Sequence, residues 1–285
     1  RPNAIARSMA RGETRTLACI APNLTDYTFA SIIEGAERAA RAQGYYLLSS
    51  SARDEHTFAA LVEKLVGHRR VDGLLVINPY ADARHQMLPP KFPVVFVGAH
   101  ARGGAVSSVA LDDRALAQEA VQHLVAIGCR RIATVTGPMQ EDCTNDRLEG
   151  FRNALQDAGL PGDPALVYEG DWSASSGREA LHHMAQHGHL PDGVFAQNDR
   201  MALGVLRAAR ELKLRVPEEL AVIGVDDMPL ASYFDPPLST MRQDMQQIGR
   251  RAADLLLKTI NGEQTRPENI LIPAELVVRE STRQA

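Results

Sequence analysis

Short β-rich runs alternate along this chain with longer stretches of helical periodicity, and this alternation limits the folds that the chain can adopt. The β-rich runs include TLACIA, DGLLVI, PVVFVG, RIATVT and LAVIGV. The helical stretches include FASIIEGAERAARAQG and RALAQEAVQHLVAIG, and they end at Gly44 and Gly128, as helices capped by a left-handed glycine do. Because alternating strands and helices build parallel sheets covered by helices, the pattern predicts an α/β fold.

The length of the chain favours two sheets over one. A chain of 285 residues is near the size at which single hydrophobic cores stop growing and chains divide. We therefore expect the β-rich runs to be shared between two lobes, each with its own parallel sheet and its own core.

Composition excludes several classes of protein. The formal net charge of -4 argues against a body that coats nucleic acid, and no uninterrupted apolar run is long enough to cross a bilayer. Cys19, Cys129 and Cys143 form no CxxC pair and no even-numbered disulfide framework. This cysteine pattern favours a reducing, cytoplasmic location over secretion. No signal peptide is visible, and we expect no membrane partner.

Polar and aromatic side chains follow five of the β-rich runs. Because open parallel sheets bind ligands at the carboxyl ends of their strands, these residues are the candidates for a binding site. They are Asn23, Asp26, Tyr27 and Phe29 after the first run, then Asp146 and Arg147, Asp171 and Trp172, Asn198 and Asp199, and Asp226 and Asp227. Carboxylates and amides bind hydroxyl groups while an aromatic face covers a sugar ring, so the set favours a polyhydroxylated ligand. Asp146 and Asp199 each have a simpler interpretation as helix N-caps.

Motifs for catalysis and for cofactors are absent from the sequence. GxGxxG after the first strand, GxxxxGK[ST], HExxH and GxSxG do not occur. His183 and His187 are one helical turn apart, but histidines near a helix C-terminus are favoured by the helix dipole, so we interpret them without a metal. We expect no cofactor and no metal.

Several blocks, in order along the whole chain, resemble bacterial transcription regulators of the lactose-repressor/galactose-repressor (LacI/GalR) family. They include HLVAIGCRRIATVTGP, RLEGFRNAL, EGDWSASSG, AQNDRMALGVLRAAR and VIGVDDMPLASYFDPPLSTMRQDMQQIGRRAADLLL. The resemblance implies a type I periplasmic-binding-protein-like fold of two Rossmann-like lobes with parallel sheets, joined by three crossovers near Ala110, Met241 and Ile272. It divides the chain into a hinge segment at 1–14, an N-terminal lobe at 15–110 plus 242–272, and a C-terminal lobe at 111–241 plus 273–285.

The resemblance also implies partners and site residues. It predicts a homodimer that holds a small effector between its lobes and that binds operator DNA in the full-length protein. The implied effector residues are Asp26, Thr28, Phe29, Arg147, Trp172, Asn198, Asp226 and Gln243. Thr28 stands where many members have an aromatic residue, and Gly98 stands where many have an acid. The missing aromatic weakens the expectation of a planar purine, so we favour a sugar or a sugar derivative.

The basic opening segment resembles the hinge helix that precedes the core in this family. In the family, the headpiece that reads DNA precedes the segment that opens this chain. Asn3 is a good N-cap and Gly12 can end a helix of roughly two turns. By the resemblance, Met9 is the apolar wedge in the minor groove, and Arg7 and Arg11 contact DNA around it.

Three functions remain open from the sequence. The first is a ligand-gated DNA-binding regulator, and the second is a transport receptor of the same fold. The third is an enzyme that acts on a sugar through paired acids such as Asp226 and Asp227. The arginine-rich opening segment favours the regulator over the receptor.

Overall fold

The computed structural model describes residues 13–98 and 106–282. These residues form two compact units. The first holds the described residues up to Leu111 together with Asp244–Ile272, and the second holds Asp112–Gln243 together with the described residues from Pro273 onward. The chain passes from one unit to the other at three places, after Leu111, Gln243 and Ile272.

Strands and helices alternate along the described chain, as the sequence predicts. The strands are β1 Thr16–Ala21, β2 Tyr46–Ser51, β3 Gly73–Ile77, β4 Val94–Val97, β5 Ser107–Leu111, β6 Ile132–Thr136, β7 Val167–Glu169, β8 Gly193–Ala196, β9 Ala221–Asp226, β10 Ser239–Arg242, β11 Asn269–Ile272 and β12 Glu275–Val277. The α-helices are α1 Tyr27–Ala42, α2 Glu55–Val62, α3 Asp113–Ala126, α4 Asp142–Asp157, α5 Ala174–Gln186, α6 Asp199–Glu211 and α7 Met245–Ile260. Short turns of helix lie at Glu63–Gly67, Arg84–Met87, Pro164–Leu166 and Ala231–Tyr233.

Each unit is built on one six-stranded sheet. The strand order is β11-β5-β4-β3-β1-β2 in the first unit, where every pairing is parallel. The order is β12-β10-β9-β8-β6-β7 in the second unit, where only β12 runs antiparallel to its neighbour β10. The α/β prediction with two parallel sheets is confirmed.

The sheet of the first unit is covered on both faces. Leu17 and Cys19 of β1 pack into a cluster with α1 and α7. Ala18 and Ile20 point to the opposite face, into a cluster that contains Phe58 of α2. This strict alternation is the two-residue period of a strand, and burying each large aliphatic side chain stabilises the fold by roughly 1.5–3 kcal/mol.

The second unit also packs helices against its sheet in a buried cluster. Val135 of β6 and Val194 of β8 pack with Leu181 of α5 and Val205 of α6 in one cluster. The predicted helix ends at Gly44 and Gly128 have positive φ angles of 77° and 107°, and Gly159, which follows α4, has a φ of 66°. Only glycine adopts that conformation at little cost, which explains its place after a helix.

The predictions for the opening segment fall outside the described residues. Arg7, Met9 and Arg11 precede residue 13, where the described chain begins. Among residues 13–98 and 106–282, no helix has both the length and the apolar composition that crossing a membrane requires.

Candidate functional site

The carboxyl ends of the parallel strands in the second unit bring five of the predicted residues to one edge of the sheet. Trp172 follows β7 and Asn198 follows β8. Asp226 ends β9, Gln243 follows β10, and Arg147 lies on α4, the helix after β6. We call these five residues the carboxyl-edge cluster.

Arg147 is buried and held from two directions. Its Nε donates to Asp113 Oδ1 at 2.7 Å, and its Nη1 donates to the backbone oxygen of Gln197. Burial is the largest single effect and lowers the pKa of Arg147, but the charge and hydrogen bond of Asp113 together with the nearby Cys143 and Asp226 outweigh it. The net shift of the pKa is therefore upward, and the guanidinium stays charged. Its central carbon lies 5.9 Å from the centre of the Trp172 ring, within cation–π range.

Trp172 is fixed at its edge and on one face. The indole Nε1 donates to Glu141 Oε2 at 3.1 Å. The ring lies against Gly137 so closely that a Cβ atom added at Gly137 would overlap the indole. Glycine is therefore required at the end of β6 to admit the ring. The backbone of Trp172 has a φ of 68°, in the left-handed region.

Asn198, and not Asp199, caps α6, so the interpretation of Asp199 as the cap is wrong. Asn198 Oδ1 accepts from Met201 N at 2.8 Å, and its Nδ2 donates to the backbone oxygen of Trp172 at 3.1 Å. Asp199 is fully buried and turns toward the sheet, where it accepts from Thr240 Oγ1 at 2.6 Å. Burial raises the pKa of Asp199 to about 7.

Asp146 is not a cap either. The helix α4 begins at Asp142, so Asp146 lies in its second turn, where it pairs with Arg114 at 3.3 Å. The observed N-cap is Glu141, so the helix begins five residues upstream of the start that a cap at Asp146 predicts, and the loop before it is shorter than expected.

Gln243 and Asp226 form a pair beside Arg147. Gln243 Nε2 donates to Asp226 Oδ1 at 3.0 Å, and the charge of Asp226 also contributes to the raised pKa of Arg147. Only 6% of Gln243 is exposed. Within the described part of the chain, no donor reaches its Oε1. A buried amide oxygen without a donor is costly, so this atom is the one in the cluster that most needs a ligand.

Asp227 points away from this pair and has other partners. It accepts from Arg242 Nε at 2.7 Å and from Arg279 Nη2 at 2.6 Å. Asp226 and Asp227 have φ angles of 122° and 53°. Together with Trp172, these two residues place backbone strain at the carboxyl edge, and strain of this kind concentrates at functional sites.

The other three predicted residues lie in the first unit, at the start of α1. Asp26 is the N-cap of this helix, and its Oδ1 accepts from Thr28 N at 3.0 Å. Phe29 is partly buried against the core cluster of the first unit. Gly98, after β4, has a φ of 72°, which a side chain at that position would strain.

Four residues of the site escaped the sequence analysis: Asp113, Gly137, Glu141 and Gln197. Gln197 is fully buried, and its Oε1 accepts from Gly137 N at 3.3 Å. The sequence did carry a signal for Gln197 as a site residue, because a polar glutamine ends the apolar run GVFAQ. Asp113 and Glu141 carried no such signal, because acids at the start of a helix are common for capping reasons alone.

His183 and His187, which lie one helical turn apart, contact each other. The rings of His183 and His187 are 4.3 Å apart, and His187 Nδ1 is in hydrogen-bond contact with the backbone oxygen of His183 at 2.8 Å. Within residues 13–98 and 106–282, no group of three metal-ligating side chains comes together.

Comparison with known proteins places the chain in a family. Residues 121–282 match the model of the periplasmic binding protein-like domain. The chain is 32% identical, over 286 residues, to the HTH-type transcriptional repressor CytR of Escherichia coli (strain K12), with 99% of this chain and 83% of that protein covered. The chain belongs to the LacI family of transcriptional regulators. Catabolite control protein A of Priestia megaterium, another relative, is 31% identical over 99% of this chain and 86% of that protein.

Solved structures of the LacI family share this fold. A transcriptional regulator CelR–cellobiose complex has a TM-score of 0.88 and 32% identity, covering 98% of this chain and 89% of that one. The lac repressor dimer bound to operator and an anti-inducer has a TM-score of 0.89 and 28% identity, covering 99% and 98%. The predicted family and fold are therefore confirmed.

Proposed function

We propose that this LacI-family regulator binds a sugar or sugar derivative at the carboxyl-edge cluster and that sugar binding controls its occupancy of operator DNA. The observation that carries the proposal is the buried Gln243 Oε1, which lacks a donor among the described residues and lies on the same amide that binds Asp226. A sugar hydroxyl supplies the missing donor, and the neighbouring carboxylate accepts from a second hydroxyl.

The aromatic and cationic groups support a ring-shaped polar ligand. Trp172, held by Glu141, offers an indole face for the apolar side of a sugar ring. Arg147 lies beside that ring, and its guanidinium N–H groups are charged donors from which hydroxyl oxygens can accept. Asp26, Thr28 and Phe29 are proposed as further effector contacts from the first unit.

The relatives support the remaining partners. One solved neighbour is a complex with cellobiose, and another is a dimer bound to operator. We extend both to this chain as proposals: a homodimer, a sugar-like effector, and operator DNA in the full-length protein. The hinge at 1–14 with Arg7, Met9 and Arg11, the two predicted lobes, and the cytoplasmic location belong to the same proposal.

Catalysis and transport are the alternatives that this proposal rejects. Asp227 is engaged by Arg242 and Arg279, which disfavours a free pair of acids for hydrolysis. The relatives named above are transcription regulators, which disfavours a transport receptor.

A thermal-shift screen of sugars with the purified core tests the binding half of the proposal. A sugar that binds the folded state raises the unfolding temperature by mass action. The same sugar should then change the affinity of the full-length protein for an operator selected from random DNA, measured by fluorescence anisotropy. A sugar that binds the core but leaves operator affinity unchanged would contradict the proposal that sugar binding regulates DNA binding. Turnover of the sugar would favour the alternative that the protein is an enzyme.

A further inference from the structure

The cluster needs a donor more than it needs an acceptor. Gln243 Oε1 is buried and has no donor among the described residues. The Nε2 of the same amide donates to the carboxylate of Asp226. Both groups accept hydrogen bonds. A hydroxyl group satisfies them by donating, whereas a phosphate or carboxylate brings only acceptors and a like charge.

Two of the three guanidinium nitrogens of Arg147 already donate within the protein. Arg147 donates from Nε to Asp113 and from Nη1 to Gln197, and its plane lies near the Trp172 ring. A guanidinium that clamps a phosphate uses its planar fork for two parallel hydrogen bonds. In Arg147, one side of the guanidinium is already bonded to the carboxylate of Asp113, which balances the positive charge.

The helix N-termini at this edge, which are the usual alternative for anion binding, carry acids instead. Helix α4 has Glu141 at its N-cap position and Asp142 in its first turn. Ahead of α5, Asp171 Oδ1 accepts from Ser173 N at 3.0 Å, and hydrogen bonds from Ser173 and Ser176 lower the pKa of Asp171. Negative charge is stable at these positions because of the helix dipole, and it repels an incoming anion.

Glu141 extends this acidic character to the stacking surface. Its Oε2 accepts from the Trp172 indole at 3.1 Å, so a carboxylate lies at the edge of the ring on which a sugar would stack. A phosphate or carboxylate on a sugar stacked there comes close to this charge, and in a partly buried site such repulsion is only weakly screened.

We propose that the carboxyl-edge cluster takes an uncharged, hydroxyl-donating sugar and discriminates against sugar phosphates and sugar acids, with Glu141 as the residue that sets this charge preference. The inference rests on the proposed function and narrows its ligand class. Glu141 acts both through its charge and by positioning Trp172.

The test measures affinities for matched neutral and anionic sugars by titration calorimetry. The pairs are ribose with ribose 5-phosphate, glucose with glucose 6-phosphate and with glucuronate, and galactose with galactose 6-phosphate, with cellobiose and maltose as larger neutral probes. In each pair that binds, the neutral member should bind at least tenfold more tightly. Glu141→Gln keeps an oxygen for the indole but removes the charge, so it should reduce this ratio at least threefold.

Two controls separate charge from position. Glu149→Gln removes a carboxylate from the same helix at a side chain that is 53% exposed and paired with Arg114, and it should leave the ratio unchanged. Trp172 is the chain's one tryptophan, so intrinsic fluorescence reports its surroundings directly. Emission should be nearly unchanged in Glu141→Gln and should shift in Glu141→Ala, which removes the acceptor as well.

The outcomes distinguish this inference from the proposed function. A sugar phosphate or acid that binds as tightly as its neutral partner overturns the inference and leaves sugar-dependent regulation intact. An unchanged ratio in Glu141→Gln overturns the role of Glu141. If no compound of either kind binds the folded core, the proposed function fails together with the inference.

Discussion

Arg147 and Asp113 form a buried ion pair in the second unit, with Nε and Oδ1 2.7 Å apart and less than a tenth of either side chain exposed. Arg147 therefore has a structural role in addition to the effector contact that the sequence predicts. Removing one member of such a pair leaves the other charge buried without its partner, which is far more costly than losing an exposed ion pair.

We expect Arg147→Ala to lower the free energy of unfolding by about 3 kcal/mol. Asp113→Ala should cost a similar amount, and the double variant should cost clearly less than the sum, because the two residues share one interaction. Urea denaturation followed by circular dichroism measures all three. Additive losses would show that the pair is not coupled. Arg147→Ala is expected to weaken effector binding more than tenfold, but only at temperatures where it remains folded.

Gly137→Ala should displace the Trp172 indole, because a Cβ at Gly137 overlaps the ring. We expect a shifted emission maximum and at least tenfold weaker sugar binding, since the stacking surface moves. Gly162→Ala is the matched control, because a Cβ there meets no atom within 4 Å. Unchanged emission in Gly137→Ala would mean that the ring is not held against this backbone.

Gln243→Met removes the acceptor that lacks a donor while keeping the length of the side chain. The variant loses the hydrogen bond to Asp226, which destabilises the fold, but it also loses a buried oxygen without a donor, which stabilises it. The free energy of unfolding should therefore change by no more than about 1 kcal/mol. Sugar affinity should fall more than tenfold. Calorimetry and thermal denaturation measure the two effects separately. Wild-type affinity in this variant would contradict the assignment of Gln243 to the site.

Asp199 makes stability depend on pH. Burial raises its pKa from 3.8 to about 7, so between these values the folded state holds a proton that the unfolded state releases. Stability should therefore fall as the pH rises from about 4 to about 7, by at most roughly 1.4 kcal/mol per pH unit from this group. Asp199→Asn should flatten this dependence relative to the wild type. An identical slope in both proteins would exclude Asp199 as the titrating group.

Met9→Ala tests the hinge prediction in the full-length protein. We expect weaker binding to the selected operator with little effect on sugar affinity, because an apolar wedge contributes by unstacking a base step. Arg7→Ala should mainly reduce the salt dependence of operator binding, since it removes one phosphate contact. Anisotropy titrations over a series of salt concentrations measure both. Unchanged operator affinity in Met9→Ala would refute the wedge.

The placement of Trp172, Asn198 and Asp226 at one edge was predictable from the sequence. Alternating β-rich and helical runs require parallel strands, and parallel strands end at the same edge of their sheet. Residues that follow the strands therefore had to come together, whatever their individual contacts. The glycines that end the helices were predictable for an equally local reason, since the left-handed conformation excludes most other residues.

The partners of those residues were decided only by the tertiary structure. Asn198 and Asp199 are adjacent and both suit a helix cap, and packing against β10 turned Asp199 toward Thr240 and left the cap to Asn198. Asp113 reaches Arg147 across 34 residues of sequence, and Trp172 reaches Glu141 across 31. The sequence by itself determined the class of fold and the edge of the sheet at which the candidate residues meet, because backbone periodicity is local. Only the tertiary structure decided which side chains carry charge into the site, because those contacts depend on how separate helices pack on the sheet.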